Sequence, residues 1–313
     1  MPGRLTRIAN HLVDRTDRDE MLDQSPLWTA DKPLEDYFID MRSKITALPL
    51  DSDERASALR AALPVALCQC AIGFHQEYHH GDAEALRWFL TCADILCDAS
   101  PRDGVLAGGL AHDIPSPYRS RRPWLSAMAQ GEALSVLARA CLVCDDASKY
   151  EEAARLTVQP FFHSLAEGGV TNRDESGRVY LEEYPSDPPS HVLNGWVFAL
   201  VGLGEYADAF DDAEAGLLAA ESRVSLVAAL PDYDKSYWSR YDLFPSFPKA
   251  FLANRFYHRL HIAQLSALHS MTGEPALQEH ADRWARYLGS PLCRFRYELH
   301  RLAFKAACLV TGW

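Results

Sequence analysis

The chain has 313 residues, 43 Asp and Glu against 31 Lys and Arg, and a formal net charge of −12. With 48% hydrophobic and 24% charged residues it is neither disordered nor fibrous, and so acidic a balance argues against general nucleic-acid binding. No apolar run reaches the roughly 18 residues of a membrane span, and the charged start lacks the apolar core of a secretory signal, so the eight cysteines read as reduced thiols in a cytoplasmic protein.

Residues 1–50 fit no repeating unit and are read as an N-terminal arm on a body formed by 51–313. From there four short breaks share one pattern: His80-Gly81-Asp82-Ala83, Cys144-Asp145-Asp146-Ala147, Phe210-Asp211-Asp212-Ala213 and Thr272-Gly273-Glu274-Pro275. An acid recurs at 82, 146, 212 and 274, where it or its neighbour can accept a backbone N–H and start a helix. The flanking segments carry apolar residues at three- and four-residue spacing. They predict helix pairs 64–79 with 83–98, 126–143 with 148–165, 191–210 with 213–230, and 255–271 with 275–288. The first member of each pair is the more apolar, as in Val192–Val201, and so is the one buried between others. We read the fold as all-α, an incomplete α/α toroid of about four helical hairpins with an N-terminal arm.

Between hairpins lie connections 99–123, 167–187 and 231–250, long enough to be functional rather than merely connective. Because the helices alternate in direction, these loops gather at one end of the toroid and the short breaks at the other; the cleft is expected at the long-loop end. The first loop holds Tyr118, Arg119, Arg121, Arg122 and Trp124, the second Tyr180, Glu182, Glu183 and Tyr184. The third holds Tyr233, Tyr237, Trp238, Arg240, Tyr241 and Asp242, and the following helix opens with Arg255, Tyr257, His258, Arg259 and His261. Aromatic rings stack on sugar faces and Arg grips carboxylates bidentately, so this mixture suits an acidic saccharide. Taken singly, each aromatic reads as a seal on the core.

Other signals carry less. Cys141-x-x-Cys144, Cys68-x-Cys70 and Cys92-x4-Cys97 sit in apolar helices, where free Cys behaves as a small hydrophobe, and no metal site is expected. His75, His79 and His80 fall beside a short break and read as a solvent-facing helix end. The glycines of 104–109 lack the Lys and Ser/Thr of a phosphate loop and read as a flexible loop or lid.

Several runs in register resemble the C-terminal helical domain of the D-glucuronyl C5-epimerases. They are Trp124-Leu125-Ser126-Ala127-Met128-Ala129-Gln130-Gly131, Glu182-Glu183-Tyr184-Pro185, Val192-Leu193-Asn194-Gly195, Tyr241-Asp242-Leu243 and Tyr257-His258-x-x-His261-Ile262-x-Gln264-Leu265. The resemblance spans roughly 64–290. It implies inversion of D-glucuronate to L-iduronate in a heparosan- or heparan-type chain, by removal of the proton α to the carboxylate and its return on the other face. That needs two acid/base groups and stabilisation of the charge that builds on the carboxylate. The resemblance puts these duties on Glu183, Tyr184, Tyr241 and Tyr257. It leaves the face that each serves open.

Substrate-binding candidates are Trp124, Gln130, Asn194, Arg240, Arg255, His258 and His261; for Gln130 and Asn194 a satisfied core amide is an equal reading. No cofactor is implied, the partner is an acidic polysaccharide or oligosaccharide, and a homodimer through the apolar residues of 292–309 follows by analogy. The chain departs from the family pattern at Phe244, where an Arg is expected, and at Leu125, where a Tyr is expected. It also lacks the β-rich domains that precede the helical one, so a shorter or different substrate is expected. The alternatives are a polysaccharide lyase using the same C5 carbanion, a non-catalytic acidic-glycan-binding protein, and more weakly a glycosidase with carboxylates drawn from Asp113, Glu183 and Asp242.

Overall fold

A computed structural model describes residues 36–101 and 107–312. Its helices are α1 (Ser52–Arg60), α2 (Pro64–His79), α3 (Ala83–Ala99), α4 (Ala127–Val143), α5 (Ser148–Thr157), α6 (Leu193–Phe210), α7 (Ala213–Tyr233), α8 (Arg255–Thr272), α9 (Pro275–Gly289) and α10 (Pro291–Thr311). Two short antiparallel pairs interrupt the loops: β1 (Ala111–His112) with β2 (Trp124–Leu125), and β3 (Thr171–Arg173) with β4 (Val179–Leu181). The protein is all-α, and among the described residues no helix is long and apolar enough to cross a membrane.

The four short breaks act as the pattern requires. Asp82 accepts from Glu84 N, Asp146 from Ser148 N, Asp212 from Glu214 N and Ala215 N, and Glu274 from Ala276 N. Each bond satisfies a donor that the first helical turn would otherwise leave orphaned. Within hairpins α2 packs on α3, α4 on α5, α6 on α7 and α8 on α9. Between hairpins α2 meets α4, α4 meets α6 and α6 meets α8, while α3 meets α5 and α7 meets α9. The first helices of the pairs are therefore consecutive neighbours, and α4 and α6 are buried along almost their whole length.

The tightest crossing is between α4 and α6. A Cβ on Gly202 would drive into the carbonyl of Gly131 and lie 2.6 Å from its Cα, and a Cβ on Gly131 would lie 2.5 Å from the Cα of Ala199. Deeper along the same pair, the Arg139 guanidinium meets both carboxylate oxygens of Glu205 at 2.7 and 2.8 Å, fully buried. Arg139 also donates to the Asp36 carbonyl at 2.6 Å, and Gln76 accepts from Met41 N at 2.7 Å. Buried Tyr37, Phe38, Ile39 and Met41 thus lie against the inner helices. Of the expected arm, 1–35 lies outside the described residues, as does 104–106 of the expected lid.

Some expected boundaries move for identifiable reasons. The helix predicted over 148–165 stops at Thr157 and continues as two 3-10 turns, Gln159–Phe162 and Leu165–Glu167, because Pro160 supplies no N–H to the α ladder. The helix predicted to end at 230 runs through Pro231 to Tyr233, whose fully buried ring and hydroxyl bond to the His191 carbonyl (2.7 Å) hold the last turn. Helix α1 has no apolar periodicity to announce it and is started by Asp51, which accepts from Asp53 N and Glu54 N. His75 is not solvent-facing: it is buried, its ring packs on Phe89, and its Nε2 lies 3.2 Å from His79 Nε2. Burial next to Arg139 and His79 holds its pKa down to about 2, so it stays neutral.

Helix α10 buries only Tyr297 and exposes Leu292, Phe295, Leu299 and Leu302 in one row. The α4–α6 crossing yields a direct expectation. Gly202→Ala has no room in which to relax, and the overpacking costs about 3 kcal/mol; thermal unfolding followed by circular dichroism should show the loss, whereas Gly204→Ala, with nothing within 4 Å, should be neutral or stabilising.

Candidate active site

Three loop segments converge beside the first turns of α4, α6 and α8. The chain leaving β4 is fixed at Glu182, whose N–H donates to the Val170 carbonyl at 2.8 Å and whose carbonyl accepts from Ala127 N at 2.9 Å. The Glu182 carboxylate, wholly buried, accepts from Ser190 Oγ at 3.1 Å and His191 N at 2.9 Å and meets His191 Nδ1 at 2.5 Å. This ties the 182–191 loop into a closed turn, with His191 at φ +48° and its ring stacked on Tyr180. Glu182 is spent on structure; Glu183 is not.

Glu183 turns inward against α6. Its side chain lies where a Cβ on Gly195 would be, 2.6 Å from its own Cβ and overlapping Oε2, so the glycine is what admits the carboxylate. Glu183 is buried, and its Oε2 has no hydrogen-bond partner among the described residues. Burial raises its pKa to about 7, against the pull of the Tyr184 hydroxyl, with the Glu182 charge adding to the rise.

The third loop lays residues 240–243 between 190–193 and 251–252. Leu193 N donates to the Tyr241 carbonyl, Leu243 N to that of Ser190, and Tyr241 N to that of Phe251. Tyr241 meets Tyr257, on the first turn of α8, edge-on at 4.9 Å. On the other side Tyr184 packs against Tyr118 and Trp124, each at 5.2 Å. Trp124 stacks on His112 at 4.4 Å and donates from Nε1 to the Ile114 carbonyl. The Glu183 charge is felt by Tyr118, Tyr184 and Tyr241, and Tyr257 is close enough to Tyr184 and Tyr241 to disfavour their ionisation. The four residues expected to carry acid/base duty are therefore brought together around one buried carboxyl.

The tyrosines are pushed the opposite way from a phenolate. Burial first, then neighbouring negative charge, raises Tyr118, Tyr184 and Tyr241 well above 10, and no cation appears among the causes. Of the cations adjacent in sequence, Arg255 is exposed and pairs with Glu298 of α10 at 3.2 Å. Arg240 lowers Asp242 and Tyr233 instead, with its Nε unpartnered among the described residues. His258 is neutral, its pKa lowered to about 4 by burial.

The remaining candidates separate. Gln130 is a core amide: its Oε1 accepts from Leu110 N at 2.7 Å, and its Nε2 donates to the Gly108 and Thr157 carbonyls at 3.0 and 2.8 Å. It clips the first long loop to the end of α5. His258 Nε2 lies 3.1 Å from the Trp284 carbonyl and so carries the hydrogen, leaving Nδ1 to accept from Ser239 Oγ at 2.7 Å. Ser239 Oγ then accepts from His261 Nδ1 at 3.0 Å, and His261 Nε2 is left as an unpartnered lone pair. Asn194 is buried with Oδ1 unpartnered, and its backbone carbonyl accepts from Gln264 Nε2 at 3.0 Å.

Sequence reasoning named Tyr118 only among the loop aromatics and Asp242 only as a carboxylate for the weaker glycosidase reading, and did not join them. Tyr118 donates to Asp242 Oδ2 at 2.5 Å, and Asp242 is fully buried with its pKa raised to about 7 by burial. The signal was the adjacency of Asp242 to Tyr241; its partner lies 124 positions away. Phe244 occupies a packing role, edge-on to Tyr118 and Phe247 at 5.1 and 5.0 Å. A cavity of about 940 Å³ among the described residues lies alongside the cluster rather than over it. Arg119, Arg121, His163, Arg173, Pro185 and Asp187 line it, and none of the four expected residues does.

Residues 111–286, more than half of the chain and inclusive of the whole cluster, match the family described as D-glucuronyl C5-epimerase C-terminus. The chain is 34% identical over 180 residues to the D-glucuronyl C5-epimerase of Caenorhabditis elegans, covering 52% of this chain and 29% of that protein. It is 28% identical over 170 residues to an uncharacterised protein of Methanocaldococcus jannaschii, covering 53% of each. The chain thus spans about half or less of these relatives. On the family match, this chain belongs to the D-glucuronyl C5-epimerases, through their C-terminal domain.

Proposed function

We propose that the protein inverts D-glucuronate residues at C5 within a glycan, with Glu183 as the base on one face of the sugar and a tyrosine of the Tyr184, Tyr241 and Tyr257 group as the acid on the other. The observation that carries this reading is the pairing of one buried carboxyl, its pKa near 7, with phenols whose own are raised. At neutral pH such a carboxyl is partly ionised and basic enough to take the C5 proton, while the phenols stay protonated and able to give one. Phenols not engaged in transfer donate hydrogen bonds to the carboxylate as charge builds on it, in a site from which water is largely excluded. In the reverse direction the roles exchange.

The flanking sugars extend towards the cavity lined by Arg119, Arg121 and Arg173. A second copy packs on the exposed α10 row in this reading. Sedimentation should then show a dimer for the protein and a monomer for Leu299→Asp; a monomer in both would refute this part.

Proton NMR of unsulfated heparosan incubated in heavy water should show loss of the H5 signal and new iduronate resonances, without an unsaturated product. A C4–C5 double bond would instead mean that the carbanion expels its C4 substituent, as in a lyase. Glu183→Gln and Tyr257→Phe should each cost about 10²- to 10⁴-fold in rate with the fold intact; full activity in either would refute the assignment.

The pH dependence has a definite sign. Glu183 must be ionised to take the proton, so the rate from glucuronate should climb with pH and reach half its plateau near 7. A profile already flat from pH 5, where an ordinary carboxylate has ionised at about 4.3, would contradict a buried base.

A further inference from the structure

The cavity beside the cluster is a groove with a charge pattern of its own. Its walls are the first long loop at Arg119 and Arg121, the 3-10 turns with β3, the loop after Pro185 and the opening turns of α7. Chain and packing join it to the cluster. Arg119 follows Tyr118 and Pro185 follows Tyr184, and those two rings pack on each other at 5.2 Å. A glycan that runs out past these rings on that side meets the groove first.

Part of the lining is apolar. Phe162 is half-buried, Leu218 is buried, and Leu217 of α7 keeps 63% of its surface exposed. Apolar side chains with polar groups placed among them suit a bound sugar ring.

The charged groups do not favour a polyanion. Arg173 is taken by Glu221 at 2.7 Å, so that pair brings no net charge. What is left is the guanidinium groups of Arg119 and Arg121 against the carboxylates of Glu167, Asp187 and Glu214. Glu167 accepts from Ser164 N and Oγ at 2.9 and 2.6 Å, and these bonds lower its pKa and keep it ionised. Asp187 and Glu214 are exposed and have no side-chain hydrogen bond or ion pair among the described residues. A groove shaped for a densely anionic chain carries an excess of cations; this one carries an excess of carboxylates.

Heparosan-type chains alternate a uronate with an amino sugar. Each uronate brings one negative charge, which an arginine can meet. An N-acetyl group on the amino sugar adds none, whereas an N-sulfate adds one more per repeat. We propose that the groove is a flanking-sugar subsite selective for uronate chains whose amino sugars are N-acetylated, and that Asp187 and Glu214 turn N-sulfated chains away. The proposal rests on the reading above, in which flanking sugars enter this groove, and adds to it the sulfation state of the substrate. The acids act by repulsion, which rejects a wrong partner without any contact to the right one. Flanking sugars bind alike in ground and transition states, so the discrimination belongs in KM rather than kcat. It also fades with salt, because charges act over about 10 Å in 0.1 M salt and about 3 Å in 1 M.

Equilibrium binding of size-matched heparosan and N-sulfated heparosan oligosaccharides tests it. His163 also lines the groove, so the measurement is made at pH 8, above the ordinary imidazole range. The N-acetylated chain should bind wild type about 10-fold more tightly in 0.1 M salt, and the preference should shrink in 1 M. Asp187→Lys with Glu214→Lys should abolish or invert it, and the milder Asp187→Asn with Glu214→Gln should narrow it. Asp208→Lys with Glu279→Lys makes the same change in net charge at exposed positions of α6 and α9 outside the groove, and should keep the preference.

Equal or tighter binding of the N-sulfated chain by wild type would overturn the proposal. So would a preference that survives both groove variants, or one that vanishes in the control and thus belongs to net charge alone. Loss of H5 from heparosan in heavy water reports separately on the reading of function. Exchange without the preference would sink the selectivity alone; neither exchange nor binding would sink both.

Discussion

The glycine face of α6 is the constraint on which the rest depends. Gly195 and Gly202 are seven residues apart, two helical turns, and so lie on one side of the helix. One admits the Glu183 side chain and the other the backbone of Gly131 on α4. The same absence of side chains therefore closes the inner helices on each other and opens the space that the carboxyl fills. Had either position carried a methyl group, α4 and α6 would separate and Glu183 would lose its seat. The Arg139–Glu205 pair locks the far end of this crossing. As a buried ion pair it is as much a device for holding register as a source of stability.

From that crossing the electrostatics of the site follow. Packing removes water from Glu183, Asp242 and Glu132 together, and all three become harder to ionise. The tyrosines respond to the same burial and to the same negative charge by holding their protons. A site built with a cation against a tyrosine would run on phenolate; this one has a carboxyl near neutrality and protonated phenols. Phe244, where the family pattern has Arg, belongs to that difference. It packs with Tyr118 and Phe247 and so brings no charge of its own to the cluster.

Much of this was legible before any coordinates. The four acidic breaks announce their helices because capping is local, a matter of one side chain and the next two N–H groups. The hairpin order follows from apolar spacing, and Glu183, Tyr184, Tyr241 and Tyr257 were visible as a set through motif resemblance. What stayed hidden depends on contacts distant in sequence. Gln130 reads equally as a substrate ligand and as a core amide until the carbonyls of Gly108 and Thr157 are found on it. Arg255 reads as a substrate-binding cation until α10 brings Glu298 to it. His75 reads as exposed because nothing in its neighbourhood shows that Phe89 of α3 packs on its ring. Asp242 with Tyr118, and Glu132 with Gln69, are pairs that only the packing of separate hairpins creates.

The most direct test of this account is a crystal structure of Glu183→Gln bound to a glucuronate-containing oligosaccharide. The account predicts C5 of one uronate between the side chain at 183 and a tyrosine hydroxyl from Tyr184, Tyr241 or Tyr257, with flanking sugars leading towards Arg119 and Arg121. A saccharide held wholly in the cavity between Arg173 and Asp187, with no uronate reaching the tyrosines, would contradict it.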